Sequence, residues 1–268
     1  MYTSIGFIGT GAMGSSLARA ASEGAQGSPI YLANRTPKKA QILAQEICAT
    51  ATDNASIAKT CNLIFLGVKP QMMERTLKPL IPILKERTDR FVLASMAAGL
   101  NAEHIQTLAG GEYPVICLMP NTPIDVGAGI IQYYGVNTTE QELEDFQTLL
   151  ASTCLVDRVN PDYLDAASAV SACGPAFCAL FVDAIADAGV ACGLSREKSL
   201  LYAAQMVSGT AQLILNGKRH PGQLKDSVCS PSGTTIQGVR TLERLGFRSA
   251  AMEAVITAYE KTVEMTKK

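Results

Sequence analysis

Apolar positions along this chain follow two regimes. Up to residue 160, short apolar runs alternate with stretches of helical spacing. The runs "SIGFIG", "PIYLA", "NLIFLGV", "RFVLASM", "YPVICLM", "GAGIIQYYG" and "CLVDRV" read as strands. Most are apolar throughout rather than alternating, as strands covered on both faces are. Helical stretches lie near residues 71–84 and 102–108, and "TEQELEDFQTLLAS" opens with a capping box of Thr139 and Glu142. Such alternation predicts a mostly parallel, doubly wound α/β sheet.

From Asp162 onward the strand pattern stops. "YLDAASAVSAC", "PAFCALFVDAIADAGVACG", "REKSLLYAAQMVSGTAQLILNG", "PGQLKDSV" and "TIQGVRTLERLG" read as helices. Breaks fall at Gly-Pro, Gly, His-Pro-Gly and Ser-Pro-Ser-Gly. The expected organisation is therefore residues 1–160 as an α/β domain and 161–268 as an all-helical domain. Ala, Ser and Gly line many helix faces and charges are few, so an intertwined homodimer is expected. The uncharged run 166–182 is slightly short for a membrane span and is split by Gly174-Pro175. It is expected to be a buried helix at a subunit interface, not a membrane segment.

Composition narrows the partners. Apolar residues make up 47% of the 268, charged residues 18%, and the net charge is −1. A nucleic-acid partner would call for a basic excess. The cysteines are Cys48, Cys61, Cys117, Cys154, Cys173, Cys178, Cys192 and Cys229, with no C-x-x-C pair. Most sit in apolar or small-residue contexts, as buried free thiols do. No metal site or disulfide framework is expected, and a reducing cytoplasm fits. "MYTSIGFIGTG" has no basic region before its apolar run, unlike a secretory signal peptide.

The candidate chemistry starts at Gly9, Gly11 and Gly14, in G-x-G-x-x-G spacing between a strand and a helix. The first glycine permits the tight turn, the second admits a pyrophosphate, and the third lets helix and strand close up. Helix N–H groups then face the phosphates. After the second strand comes "NRTPKK": Asn34, Arg35, Thr36, Pro37, Lys38 and Lys39. The acid that holds the ribose hydroxyls in NAD enzymes is missing. Arg35 can stack on adenine and pair with a 2′-phosphate, which favours NADPH over NADH. Thr36-Pro37 also suits a helix start, with the lysines on a solvated face; both readings hold together. Val68, Lys69 and Pro70 follow one strand and Asn121 another, where doubly wound sheets bind ligands. Lys69 as a plain exposed lysine and Asn121 as a turn former are the simpler alternatives. His104 and His220 have no partner for acid–base work.

In "SPSGTTIQG", Pro231 and Gly233 end one helix, and Thr234 with Gln237 is expected to form a T-x-x-Q capping box for the next. The N–H groups gathered there suit a small anion, although ordinary capping explains the same residues.

Taken together, "FIGTGAMG", "VKP", "MPNTP", "SACGPAF", "HPGQLKDSVCSPSGTTIQGVRTLE" and "GFRSA" resemble the pyrroline-5-carboxylate reductases along the whole chain. That family makes the last step of proline biosynthesis. The resemblance implies an N-terminal Rossmann-type domain, then a helical dimerisation domain, with dimers often assembling further into decamers. The cofactor contacts expected from the glycine turn and the strand ends are Gly9, Gly11, Ala12, Met13, Gly14, Asn34, Arg35, Val68, Lys69, Pro70 and Asn121. The resemblance implies a substrate carboxylate held by the N–H groups of Gly233, Thr234 and Thr235, with the Thr235 hydroxyl as the catalytic contact to the ring nitrogen. The site would be shared between one subunit's Rossmann domain and its partner's helical domain.

This chain departs from the family pattern twice. Ser232 stands where glycine is usual, and Ala172-Cys173 where Gly-Ser is common. Serine is disfavoured if that backbone needs φ > 0. Two other readings compete. One is a related Rossmann imine or hydroxy-acid dehydrogenase; hydroxy-acid enzymes often use a lysine in a long interdomain helix, and no lysine occurs between Pro161 and Glu197. The other is a nucleotide-binding regulatory paralogue without turnover, favoured only by Ser232.

Overall fold

The structure, a computed structural model, describes residues 1–217 and 219–266. Lys218 and the last two residues of the expected helical domain lie outside the described residues. The chain forms two compact units, Met1–Ala172 with Ala258–Lys268, and Cys173–Thr257.

The first unit begins β1 (Ile5–Ile8), α1 (Ala12–Gly24), β2 (Ile30–Ala33), α2 (Pro37–Glu46), β3 (Thr50–Ala51), α3 (Asn54–Thr60) and β4 (Leu63–Leu66). It continues α4 (Met73–Leu77), α5 (Ile81–Glu86), β5 (Val92–Ser95), α6 (Ala102–Ala109), β6 (Val115–Pro120) and β7 (Gly129–Val136). Last come α7 (Glu140–Leu150), β8 (Cys154–Arg158) and α8 (Leu164–Ser171). The strands form one sheet in the order β3-β2-β1-β4-β5-β6-β7-β8. The order reverses between β1 and β4, which run parallel with Ile8 opposite Leu66. That reversal opens the crevice in which such sheets take their ligands.

All strand pairs are parallel except β6–β7. The connection from β6 to β7 is a short 3₁₀ turn, Thr122–Val126, too short for a crossover, so β7 must return antiparallel. The α7 crossover restores the parallel sense at β8. The capping box of Thr139 and Glu142 opens α7 as expected: Glu142 N–H donates to Thr139 Oγ1 at 3.2 Å, and Thr139 N–H to Glu142 Oε2 at 2.7 Å.

Apolar side chains cover both faces of the sheet. On one face Phe7 and Phe65 stack with ring centroids 4.4 Å apart, and Phe146 and Tyr133 join them. Such ring pairs add about 0.5–1.5 kcal/mol beyond the area they bury. On the other face Ile64, Leu66, Leu93, Val115 and Cys117 pack against α3 to α6. Arg87 ties that face to the sheet. Its guanidinium donates to the carbonyls of Ala58 and Cys61, at 2.9 and 2.7 Å, and lies over the Phe91 ring at 4.2 Å. Those carbonyls end α3 and would otherwise lack partners.

Residues 71–84, expected as one helical stretch, are broken. A 3₁₀ turn at Pro70–Met72 leads to α4, and another at Lys78–Leu80 leads to α5. Pro79 and Pro82 lack the N–H that a continuous helix would need there. The sequence pattern did not predict β3, α3 or the C-terminal α13 (Phe247–Thr266) as elements.

The second unit contains α9 (Gly174–Ala191), α10 (Arg196–Gly217), α11 (Pro221–Ser227), α12 (Thr234–Arg244) and the first part of α13 (Phe247–Thr266). Gly189 lets α9 and α10 close up: a Cβ there would stand 2.6 Å from Ser199 Oγ. Arg196 bridges Asp183 and Asp187 across the same pair, and Phe181 meets Phe247 at 5.8 Å between centroids. Among the unit's described residues only Ala186, Ser199 and Ala203 are buried.

Of residues 166–182, expected to be buried, only Ser168 and Ala169 are buried within one protomer, and Val170 and Leu180 are exposed. Cys178 and Cys192 are exposed too, as is Cys48, while Cys61, Cys117 and Cys154 are buried. The stretch Pro161–Ala191 is long and apolar enough to cross a membrane by length and composition alone. A helix apolar on all sides needs a cover.

Candidate active site

Two places carry the candidate residues, and each lies within one unit. In the first unit, β1 ends at Gly9, whose φ is +100°, a conformation open to glycine. A Cβ on Gly9 would stand 2.8 Å from the Gly67 backbone and 2.9 Å from Val68 Cγ1; a Cβ on Gly14 would stand 2.1 Å from Gly9 O. Gly67 N–H in turn donates to Ile8 O at 2.9 Å. These contacts clasp the ends of β1 and β4 against the first turn of α1.

Gly11 differs from its neighbours. It is the N-cap of α1, supplies no side-chain cap, is exposed, and a Cβ added there meets nothing within 4 Å. Open space, a bare helix start and the N–H groups of Ala12 and Met13 fit a dinucleotide pyrophosphate. The Thr10 hydroxyl between the glycines is buried without a hydrogen-bond partner. Gly67 and Thr10 escaped the sequence reading; a glycine directly after the "LIFL" strand was the available signal for the first.

At the end of β2, Asn34 Nδ2 donates to Thr36 O at 3.2 Å, and Pro37 opens α2 with Thr36 as its N-cap. Arg35, Lys38 and Lys39 are exposed, with no acid among residues 34–39. Val68 lies beside Gly9; Lys69 is exposed and caps the Pro70 turn by its backbone, Met72 N–H donating to Lys69 O at 2.8 Å.

Asn121 is a finding against a free ligand-binding amide. Its Oδ1 accepts from Ile130 N–H at 2.9 Å and its Nδ2 donates to Ser171 O at 3.1 Å. The β6–β7 ladder ends at Ile131, so the Asn121 side chain supplies the partner that Ile130 lacks. Its side chain is a clamp within the fold.

A cavity of about 460 Å³ lies elsewhere in this unit, lined by Ser95, Asn101, Cys117, Tyr134 and Asp165 among others. None of the expected site residues lines it. Burial pushes the Cys117 thiol up to about 11 and raises the Tyr134 hydroxyl, so both stay protonated at neutral pH.

In the second unit, Ser230 to Gly233 make a β-turn closed by Gly233 N–H donating to Ser230 O at 3.0 Å. Proline at the second position and φ +59° at Ser232 identify type II. A type II turn favours glycine at its third position, so serine there holds a strained conformation. Two expectations need correction. The Thr234–Gln237 capping box does not form: Gly233 is the N-cap and Thr234 already lies inside α12. The Gly233 N–H is committed to the turn, and a Cβ on Gly233 would stand 2.3 Å from Ser230 Oγ. Thr234, Thr235 and Ile236 now open the helix, with N–H groups that no carbonyl within the helix can reach. His220 Nδ1 caps α11 by accepting from Gly222 N–H at 3.1 Å, and His104 lies exposed on α6.

Comparison with known proteins gives this arrangement a family. A family model described as NADP oxidoreductase, coenzyme F420-dependent, matches residues 4–99, and one described as pyrroline-5-carboxylate reductase dimerisation matches residues 161–265. The pyrroline-5-carboxylate reductase of Pisum sativum is 36% identical over 268 residues, 99% of this chain and 96% of that protein. That of Escherichia coli (strain K12) is 32% identical over 271 residues, all of both chains. Among solved structures, the Plasmodium falciparum pyrroline carboxylate reductase with NADP bound superposes with TM-score 0.87 at 29% identity, covering 98% of each chain. The Coxiella burnetii pyrroline-5-carboxylate reductase gives 0.88 at 28% identity over 99% of each. Similarity of this length, spanning both the glycine clasp and the Ser230–Gly233 turn, means that the chain belongs to the pyrroline-5-carboxylate reductase family.

Proposed function

We propose that this protein reduces pyrroline-5-carboxylate to proline with NADPH, and less readily with NADH, as the last step of proline biosynthesis. The observation that carries the reading is the pairing of a glycine clasp with an open Gly11 and a helix N-terminus at Thr234 and Thr235 behind a type II turn. Oxidation of NADPH that depends on pyrroline-5-carboxylate tests it.

When bound, NADPH would supply the hydride for the C=N carbon, and a protonated imine is electrophilic enough to need no strong acid from the chain. The chain's part is to hold and orient. Gly11, Ala12 and Met13 would cradle the pyrophosphate on the turn that Gly9 and Gly14 shape, Asn34 and Arg35 would take the adenosine end, and Val68, Lys69 and Pro70 would border the crevice. Asn121 acts through its backbone and the clamp described above. The amides of Thr234 and Thr235 hold the substrate carboxylate, with Gly233 shaping the turn, and the Thr235 hydroxyl contacts the ring nitrogen. Catalysis is then positioning plus charge holding.

Oligomerisation completes the unit. The exposed apolar faces of α9 and α10 support a homodimer, and a decamer is the assembly we infer by likeness. One protomer's Rossmann unit works with its partner's helical unit. The functional division falls at Pro161, supported by a dimerisation match that starts there. A cytoplasmic location belongs to the same proposal.

A further inference from the structure

Three buried or half-buried polar side chains join the rim of the crevice to the end of α8. Asn121, 8% exposed, bonds Ile130 N–H on β7 and the Ser171 carbonyl. Ser171 Oγ lies 2.8 Å from Gln132 Oε1 and 2.9 Å from Ala167 O. Gln132 sits on β7 and is 4% exposed. A hydroxyl has one proton and serves one acceptor at a time. Turning the Gln132 amide so that Nε2 donates to Ser171 Oγ leaves the Ser171 proton free for Ala167 O.

A buried polar group of this kind is costly unless partnered, and an apolar residue would fill β7 more simply. The network therefore serves placement. Asn121 directly follows β6, at the carboxyl end of the sheet, and caps the 3₁₀ turn Thr122–Val126. Ser171 is the last residue of α8, and Cys173-Gly174-Pro175 begins the helical unit. Asn121, Gln132 and Ser171 thus fix the crevice loop and the last turn of α8 as one piece.

We propose that Gln132 and Ser171, with Asn121, are positioning residues for hydride transfer: they set the crevice loop against the segment that leads into the helical unit. The inference rests on the reductase reading. The test uses full-length Gln132→Met, Ser171→Ala, their double variant and Ser171→Thr. Turnover with pyrroline-5-carboxylate and NADPH is measured beside the NADPH dissociation constant and the oligomeric state. Each single change is expected to lower kcat about 5–20-fold, within the range that small misplacements cost. NADPH affinity and assembly should stay within about twofold of wild type. The double variant should be no slower than the worse single, as for residues acting as one unit. Ser171→Thr, which keeps the hydroxyl, should restore kcat. Single variants as fast as wild type would overturn the inference alone. So would a rate loss matched by lost cofactor binding or lost assembly, which marks a merely structural role. A wild type without turnover would instead overturn the reductase reading on which it rests.

Discussion

The Gly14 Cα–H faces the Gly9 carbonyl so closely that a Cβ on Gly14 would stand 2.1 Å from Gly9 O, whereas a Cβ on Gly11 would meet nothing within 4 Å. Glycines of one motif thus serve different ends. Gly14→Ala should cost about 1–3 kcal/mol of stability, the usual range for overpacking. Gly11→Ala should leave the melting temperature of the cofactor-free protein nearly unchanged and weaken NADPH binding at least tenfold. Calorimetric melting with NADPH titration separates the two. Equal loss of stability in both variants would contradict the assignment.

Arg35 is exposed in a loop without acids. Arg35→Ala should weaken NADPH by about 1.5–3 kcal/mol, the scale of a charge-assisted bond, and leave NADH nearly untouched. Dissociation constants for both cofactors check this; equal losses would remove the 2′-phosphate contact.

Ser232 holds φ +59° in the turn before α12. The left-handed conformation costs an L-residue about 1–2 kcal/mol, and glycine's extra unfolded-state entropy offsets about half of that. Ser232→Gly should therefore stabilise the protein by about 0.5–1 kcal/mol. Ser232→Val, β-branched at positive φ, should destabilise it and raise KM for pyrroline-5-carboxylate at unchanged NADPH affinity. A lower melting temperature for the glycine variant would refute the strain.

Most of the first unit was legible from the chain. Apolar runs are long there because both faces of the sheet are covered, and glycine spacing encodes close backbone approach. The two-residue β3 was invisible because so short a strand has no period to read. Residues 71–84 carry the apolar spacing of one helix, but Pro79 and Pro82 break it. At α12 the error was one residue: T-x-x-Q matched a capping box, but the type II turn places Gly233, not Thr234, at the cap. The place of Asn121 after a strand does not reveal that Ile130 and Ser171 engage its amide. The helical unit read clearly as helix, but its apolar side chains stay exposed within one protomer, which periodicity does not report.

Burial pushes the Glu142 carboxyl up, but hydrogen bonds from Arg90 and from Thr139 N–H outweigh it and hold it below its usual range. A depressed carboxyl contributes stability above the unfolded value near about 4.3, lost as pH falls through the folded value. Glu142→Gln keeps a capping side chain and loses the ion pair. It should cost about 1 kcal/mol at pH 7, modest because Arg90 is half exposed. Melting temperatures across pH should show the gap to wild type closing under acid. A gap that stays constant through that range would contradict the ion pair's role.

The most direct test is a single assay of purified protein with pyrroline-5-carboxylate and NADPH, comparing wild type with Thr235→Ala. Wild type is expected to oxidise NADPH only when the imine is present and to yield proline, with the variant slower by about 10–100-fold, at or below the low end of acid–base effects. NADPH that binds but is not oxidised when the imine is added would contradict it.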